Sequence, residues 1–125
     1  MKISKIIISL TAALLLASCS QRITDFTIIS SKNVDLSRGT DFKRGRDRVV
    51  GKDMKHIIVF IPTGVANIKQ ATDRAIESTP GAVALVDGVI NWHSWWIPYI
   101  YGRQWYEVEG TPLIDSKLLK DIAAN

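Results

Sequence analysis

Residues 26–125 predict an α+β fold, a small sandwich of one amphipathic helix on a mostly antiparallel sheet. Three observations lead there. Ile68, Ala71, Ala75 and Ile76 recur at helical spacing, with Lys69, Asp73, Arg74 and Glu77 largely on the opposite face. Short runs rich in β-branched and aromatic residues flank that segment on both sides, giving the order strand, strand, helix, strand, strand. A basic, apolar start stands apart in composition from everything that follows it.

That start comes first in the chain. Lys2 and Lys5 lead into an apolar run from Ile6 to Leu16. Its length, about eleven residues, falls short of the roughly 20 that a membrane-spanning helix needs, and suits the h-region of a cleaved signal behind a lysine-bearing n-region. The residues that close it, Leu16-Ala17-Ser18-Cys19, resemble the lipobox of bacterial prolipoproteins, in which a branched residue and two small ones precede the cysteine that becomes the lipidated first residue. Cys19 is the only cysteine of the chain. The resemblance implies a signal peptide over residues 1–18 and diacylglycerol and N-acyl (palmitate) chains on Cys19. Each buried methylene would contribute about 0.8 kcal/mol, and several chains together hold a protein on a membrane where one does not. Ser20 stands where an aspartate would retain a proteobacterial lipoprotein in the inner membrane, so the expected location is the outer membrane, facing the periplasm, with surface exposure, or the outer leaflet of the plasma membrane in a cell without an outer membrane, as alternatives.

Loss of the signal removes Lys2 and Lys5, and the formal charge of +4 falls to about +2, too little to argue for polyanion binding. Nucleic acid is not an expected partner in this compartment. With the single thiol acylated, neither a disulfide framework nor a cysteine nucleophile remains. About one small domain is left, large enough for a modest core.

Along that domain, residues 19–25 read as a lipidated tether, and Phe26 to Ile29 as a first strand. Residues 30–55 are polar and broken by Gly39, Gly45 and Gly51, which predicts an extended segment with a short strand near Val49 and Val50. Ile57 to Ile61 is a continuous apolar run ending at Pro62 and Gly64, as expected of a central strand covered on both faces. Asn67 offers a helix N-cap and Gln70 the reciprocal half of a capping box. Thr79-Pro80-Gly81 stops the helix. Ala82 to Val86 opens another strand, continuing through a bulge at Asp87-Gly88 to Trp92. Gln104 to Gly110 closes the sheet, and Ser116 to Ala124 has helical tendency.

The stretch from the helix to the closing strand includes Pro80-Gly81-Ala82-Val83-Ala84-Leu85-Val86, Ile97-Pro98-Tyr99-Ile100-Tyr101-Gly102 and Tyr106-Glu107-Val108-Glu109-Gly110-Thr111-Pro112. It resembles small bacterial envelope lipoproteins such as the TRL-like group, over about the last half of the chain. The shared motifs are structural, and the resemblance implies no catalytic residues.

Candidate chemistry is sparse. Gly45 to Lys52 superficially resembles a phosphate-binding loop, but the glycine spacing is one residue too long and Asp53 replaces the magnesium-binding hydroxyl. The same region is a charge cluster, Arg38, Lys43, Arg44, Arg46, Arg48, Lys52 and Lys55 against Asp41, Asp47 and Asp53. It reads either as a solvated, self-neutralised loop or as a contact for anionic envelope components. His56 and His93 are too few for a metal site. His93 beside Ser94 lacks the surroundings of a hydrolase nucleophile, so neither an enzyme nor a cofactor is expected.

The unusual patch is aromatic. All four tryptophans and all three tyrosines lie between Trp92 and Tyr106. Alternation along a hairpin would send some of these rings into the core and leave others outward, as a binding surface or as a belt at a lipid interface. Trp92, His93, Trp95, Trp96, Tyr99 and Tyr101, with or without the basic loop, are therefore the candidate binding residues. The expected function is a non-catalytic, lipid-anchored envelope protein that docks a protein partner or envelope assembly through an aromatic-rich hairpin. The alternative is a sensor module that binds glycan or lipopolysaccharide.

Overall fold

The computed structural model describes residues 1–15 and 18–125; Leu16 and Ala17 of the lipobox lie outside the described residues. Helix α1 (Lys2–Leu15) precedes strand β1 (Cys19–Ile29). A 3-10 segment (Leu36–Asp41), β2 (Phe42–Arg44), β3 (Val49–Ile58) and the two-residue β4 (Ile61–Pro62) follow. Helix α2 (Ile68–Glu77), the long hairpin β5 (Ala82–Ile97) and β6 (Tyr101–Asp115), and α3 (Ser116–Ala124) complete the chain. The fold is α+β: a six-stranded sheet in the order β1-β5-β6-β3-β4, with β2 continuing the line of β3 beside β6. Each of its strand pairings is antiparallel.

Helix α2 supplies the core. Asn67 caps it by accepting from the Lys69 N–H, and Ala71, Ala75 and Ile76 are buried against Leu85, Ile90 and Val108 of the sheet, with Phe26, Val49, Ile68 and Tyr106 packed around them. The approach is close because Gly51 has no side chain: a Cβ there would collide with the Ala71 carbonyl and lie 2.5 Å from the Ala75 nitrogen. Gln70 does not complete the capping box. The Asn67 N–H is instead bound at 2.9 Å by Oδ2 of the fully buried Asp53, whose Oδ1 faces Arg74 at 3.1 Å and Lys55 at 3.5 Å. A carboxylate from a neighbouring strand thus does what a local side chain was expected to do, because tertiary packing brings it to the helix start.

At the base, Asp115 caps α3 by accepting from the Lys117 and Leu118 N–H groups and pairs with Arg38 at 2.6 Å. Burial opposes its charge, but the Lys117 N–H, the Arg38 guanidinium and the Leu118 N–H outweigh that cost and hold its pKa below the ordinary carboxylate value.

Several expectations change. Residues 19–25, read as a tether, form the first half of β1, paired from Cys19 opposite Ser94 to Asp25 opposite Val89. Their polar side chains suit an edge strand, where one side of the ladder faces solvent. Val49 and Val50 open a ten-residue strand rather than a short one. The run Ile57 to Ile61 is not a central strand: it reverses at Val59 and Phe60, and Ile58 pairs with Ile61 across a two-residue turn at the sheet edge. Ile58, Val59, Phe60 and Ile61 are exposed and Ile57 is only half-buried. The bulge expected at Asp87-Gly88 is present between Val86 and Val89, with Asp87 at φ 49°.

Candidate docking surface

In an antiparallel ladder, residues directly opposite one another share a face, so the register sorts the aromatic block. On the α2 side lie Asp53, Tyr106 and Trp92 in one row, then Lys55, Gln104, Ser94 and Cys19, then Ile57, Gly102 and Trp96. Trp92 and Tyr106 pack at 4.7 Å between ring centroids, and Tyr106 joins the core. Trp96 lies over Gly102, where a Cβ would come within 2.5 Å of the indole. Trp96 nevertheless stays 44% exposed, since α2 ends short of it.

The opposite face carries a second array. Its rows are Met54, Trp105 and His93; His56, Arg103 and Trp95; and Ile58, Tyr101 and Ile97. His93 stacks on Trp105 at 4.9 Å, nearly parallel. The Arg103 guanidinium lies 5.5 Å from the Trp105 ring and 5.8 Å from Trp95, within cation–π range. Trp95 meets Tyr101 edge-on at 6.2 Å. His56 stacks on Tyr101 at 5.8 Å, and its Nδ1 shares a hydrogen bond with the Tyr101 hydroxyl. The rings are half-buried mainly by one another. His93 Nε2 and Trp105 Nε1 are buried and have no hydrogen-bond partner among the described residues, a costly arrangement for polar groups.

Two turns close this end. Between β5 and β6 the Ile100 N–H donates to the Ile97 carbonyl at 3.2 Å, Pro98 takes the position it favours and Tyr99 sits at φ 64°. Between β3 and β4, Val59 sits at φ 61°, where a two-residue hairpin turn favours glycine. The turns touch: the Val59 N–H donates to the Ile100 carbonyl at 3.1 Å, and the Phe60 ring packs on Tyr99 at 5.3 Å and on Trp96 at 6.3 Å. Tyr99, Ile61, Ile100 and Phe60 are 72%, 73%, 64% and 58% exposed.

Of the residues expected from sequence, Trp95, Tyr101 and His93 thus share one face, Trp92 and Trp96 the other, and Tyr99 the turn. The basic loop is not brought to them. Arg44 pairs with Asp87 at 2.5 Å and Arg48 with Glu109 at 2.6 Å, both towards the base of the sheet, while Arg46 is exposed. Arg44 and Arg48 are thus neutralised by acidic residues of the β5–β6 hairpin rather than by the cluster's own aspartates. Sequence reasoning placed Trp105 in the aromatic block but not among the candidate binding residues, and missed Arg103 and His56, although Tyr101, Arg103 and Trp105 alternate at the strand period. It missed Val59 and Phe60 because no turn residue marks them.

Among the described residues there is no cluster of metal-ligating side chains and no helix long and apolar enough to cross a membrane. Compared with protein-family models, curated proteins and solved structures, the chain matches none. The geometry of the sheet is therefore the guide to function.

Proposed function

We propose that this is a small, non-catalytic envelope lipoprotein, held by acyl chains on Cys19 in the outer membrane and facing the periplasm, that docks a protein partner through the aromatic half of its sheet. The observation that carries the reading is the face on which Trp95, Arg103, Trp105, His93, Tyr101 and His56 form one continuous array with no helix laid over it among the described residues. Aromatic and arginine side chains dominate binding energy at protein interfaces, where truncating a central one costs about 2 kcal/mol or more. The packing favours a protein over a sugar. A sugar ring needs a free aromatic face, whereas Trp105 is occupied by His93 and Arg103.

Two measurements test the proposal. Palmitate labelling should mark the wild-type protein and not Cys19→Ala; label that is absent, or unchanged in the variant, removes the anchor. Crosslinked copurification from envelopes should recover a defined protein with the wild type and lose it with Trp95→Ala at unchanged melting temperature. Recovery of glycan instead would select the sensor reading.

A further inference from the structure

We infer that the paired turn tips form a bilayer-contacting rim, resting on the anionic phospholipid leaflet into which Cys19 is anchored. The inference builds on the lipid-anchor reading and adds the orientation in which the protein stands.

Register supplies the first argument. Cys19 lies opposite Ser94, three residues before Ile97 and the turn, about 10 Å by strand rise. Strand β1 then runs away from that end. An acyl chain on Cys19 therefore leaves the protein beside the tips, not at the base. An amphipathic surface settles about 5–10 Å into the boundary between headgroups and acyl chains, so tips at that depth place Cys19 at headgroup level.

The chemistry of the tips agrees. Val59, Phe60, Ile61, Tyr99 and Ile100 are exposed together at the tips, and Phe60, Tyr99 and Trp96 join them into one body. Two of these residues hold positive φ, a conformation uncommon for bulky side chains and characteristic of strained functional sites. Below the patch come aromatic side chains with polar handles, Trp95, Trp96 and Tyr101, and then Lys55 and Arg103, the sequence of groups found where proteins meet membrane interfaces.

Charge is the independent observation. Residues 18–24, 54–72 and 88–106, which build this end, contain no Asp or Glu, although the chain has twelve acidic residues. The cations there are Arg22, Lys55, Lys69 and Arg103; the first three pair with the flanking Asp25, Asp53 and Asp73, and Arg103 lies over Trp95 and Trp105. Segregation of this kind suits an anionic surface, since each basic residue near it contributes about 1 kcal/mol of attraction. With the tips down, the strands stand away from the membrane and the Trp95–Arg103–Trp105 face looks sideways, open to a partner.

The test uses the full chain, produced and processed in bacteria and reconstituted into vesicles of phosphatidylethanolamine and phosphatidylglycerol. Ile100→Cys, or Ile122→Cys in α3 as the distant control, is labelled with a thiol-reactive, polarity-sensitive fluorophore. Phe60→Cys repeats the reading from the other turn, so that one poorly folded variant does not decide the result. An acylated Cys19 has no free thiol, so one label per chain reports the anchor independently of the tips. The expected result is one label per chain, with emission at positions 100 and 60 blue-shifted and quenched by lipid-borne spin labels, and emission at 122 unchanged. One label with identical emission at all three positions overturns the rim and leaves the anchor standing. Two labels per chain overturn the anchor, and the rim with it.

Discussion

At the row of Gly51, Val108 and Ile90 the sheet is pressed against α2 so tightly that no side chain fits on Gly51. Five residues further along β3 and on the other face of the sheet, at His56, Arg103 and Trp95, the same strands carry no helix among the described residues, and rings and a guanidinium pack on one another instead. Both halves are built from one continuous hairpin. Their difference shows that strand propensity does not decide which part of a sheet becomes core: what is laid over it does. The covered half buries Ile76, Leu85 and Val108 completely and pairs its charges. The uncovered half leaves large apolar side chains in solvent and has no carboxylate.

Substitutions can break that contrast. Ile76→Asp should have the largest effect, more than about 4 kcal/mol, because it deletes packing and buries an unpaired charge. Lys69→Ala on the exposed side of the same helix should cost within about 0.5 kcal/mol, the scale of an i,i+4 pair. Thermal melts of the two variants compare directly, and equal losses would mean that α2 does not cover the sheet.

Gly51→Ala should follow at about 2–3 kcal/mol, since the collision is with helix backbone and no flexible side chain can yield. Denaturant titration measures it; a midpoint equal to wild type would show that the helix stands further off.

Asp115→Asn should lower the melting temperature by less, and in a pH-dependent way. The folded pKa of Asp115 is depressed, so its contribution is present above the unfolded carboxylate value of about 3.9 and is lost as pH falls through the folded value. The gap between wild type and variant should therefore be open at pH 7 and narrow below about pH 4. A gap constant with pH would exclude the charge as its source.

The smallest change should run the other way. Val59→Gly relieves a positive φ that a β-branched residue tolerates poorly, and should raise stability by about 1 kcal/mol, whereas removing a large side chain from the covered half always costs. A loss at Val59 would place it in a core and sharpen the boundary between the halves differently.

Local pattern alone determined a good part of this protein. The helical spacing of Ile68, Ala71, Ala75 and Ile76 identified α2 and its buried face, because amphipathic periodicity is written in consecutive residues. Asn67 marked its start, Asp87-Gly88 the bulge, and Ser116 to Ala124 the last helix, each through a short-range conformational preference. Contacts distant in sequence decided the rest. That residues 19–25 are strand depends on the β5 edge they pair with, and that Asp53 caps α2 depends on a strand fourteen residues upstream of Asn67. The reversal at Val59 and Phe60 has no glycine or asparagine to announce it, and only pairing of Ile58 with Ile61 and the bond to the Ile100 carbonyl hold it. The aromatic block was conspicuous in the sequence, but its division between two faces and a tip was not. That division follows from the cross-strand register and from where a ten-residue helix comes to an end on a sixteen-residue strand, and neither is set by any one segment of the chain.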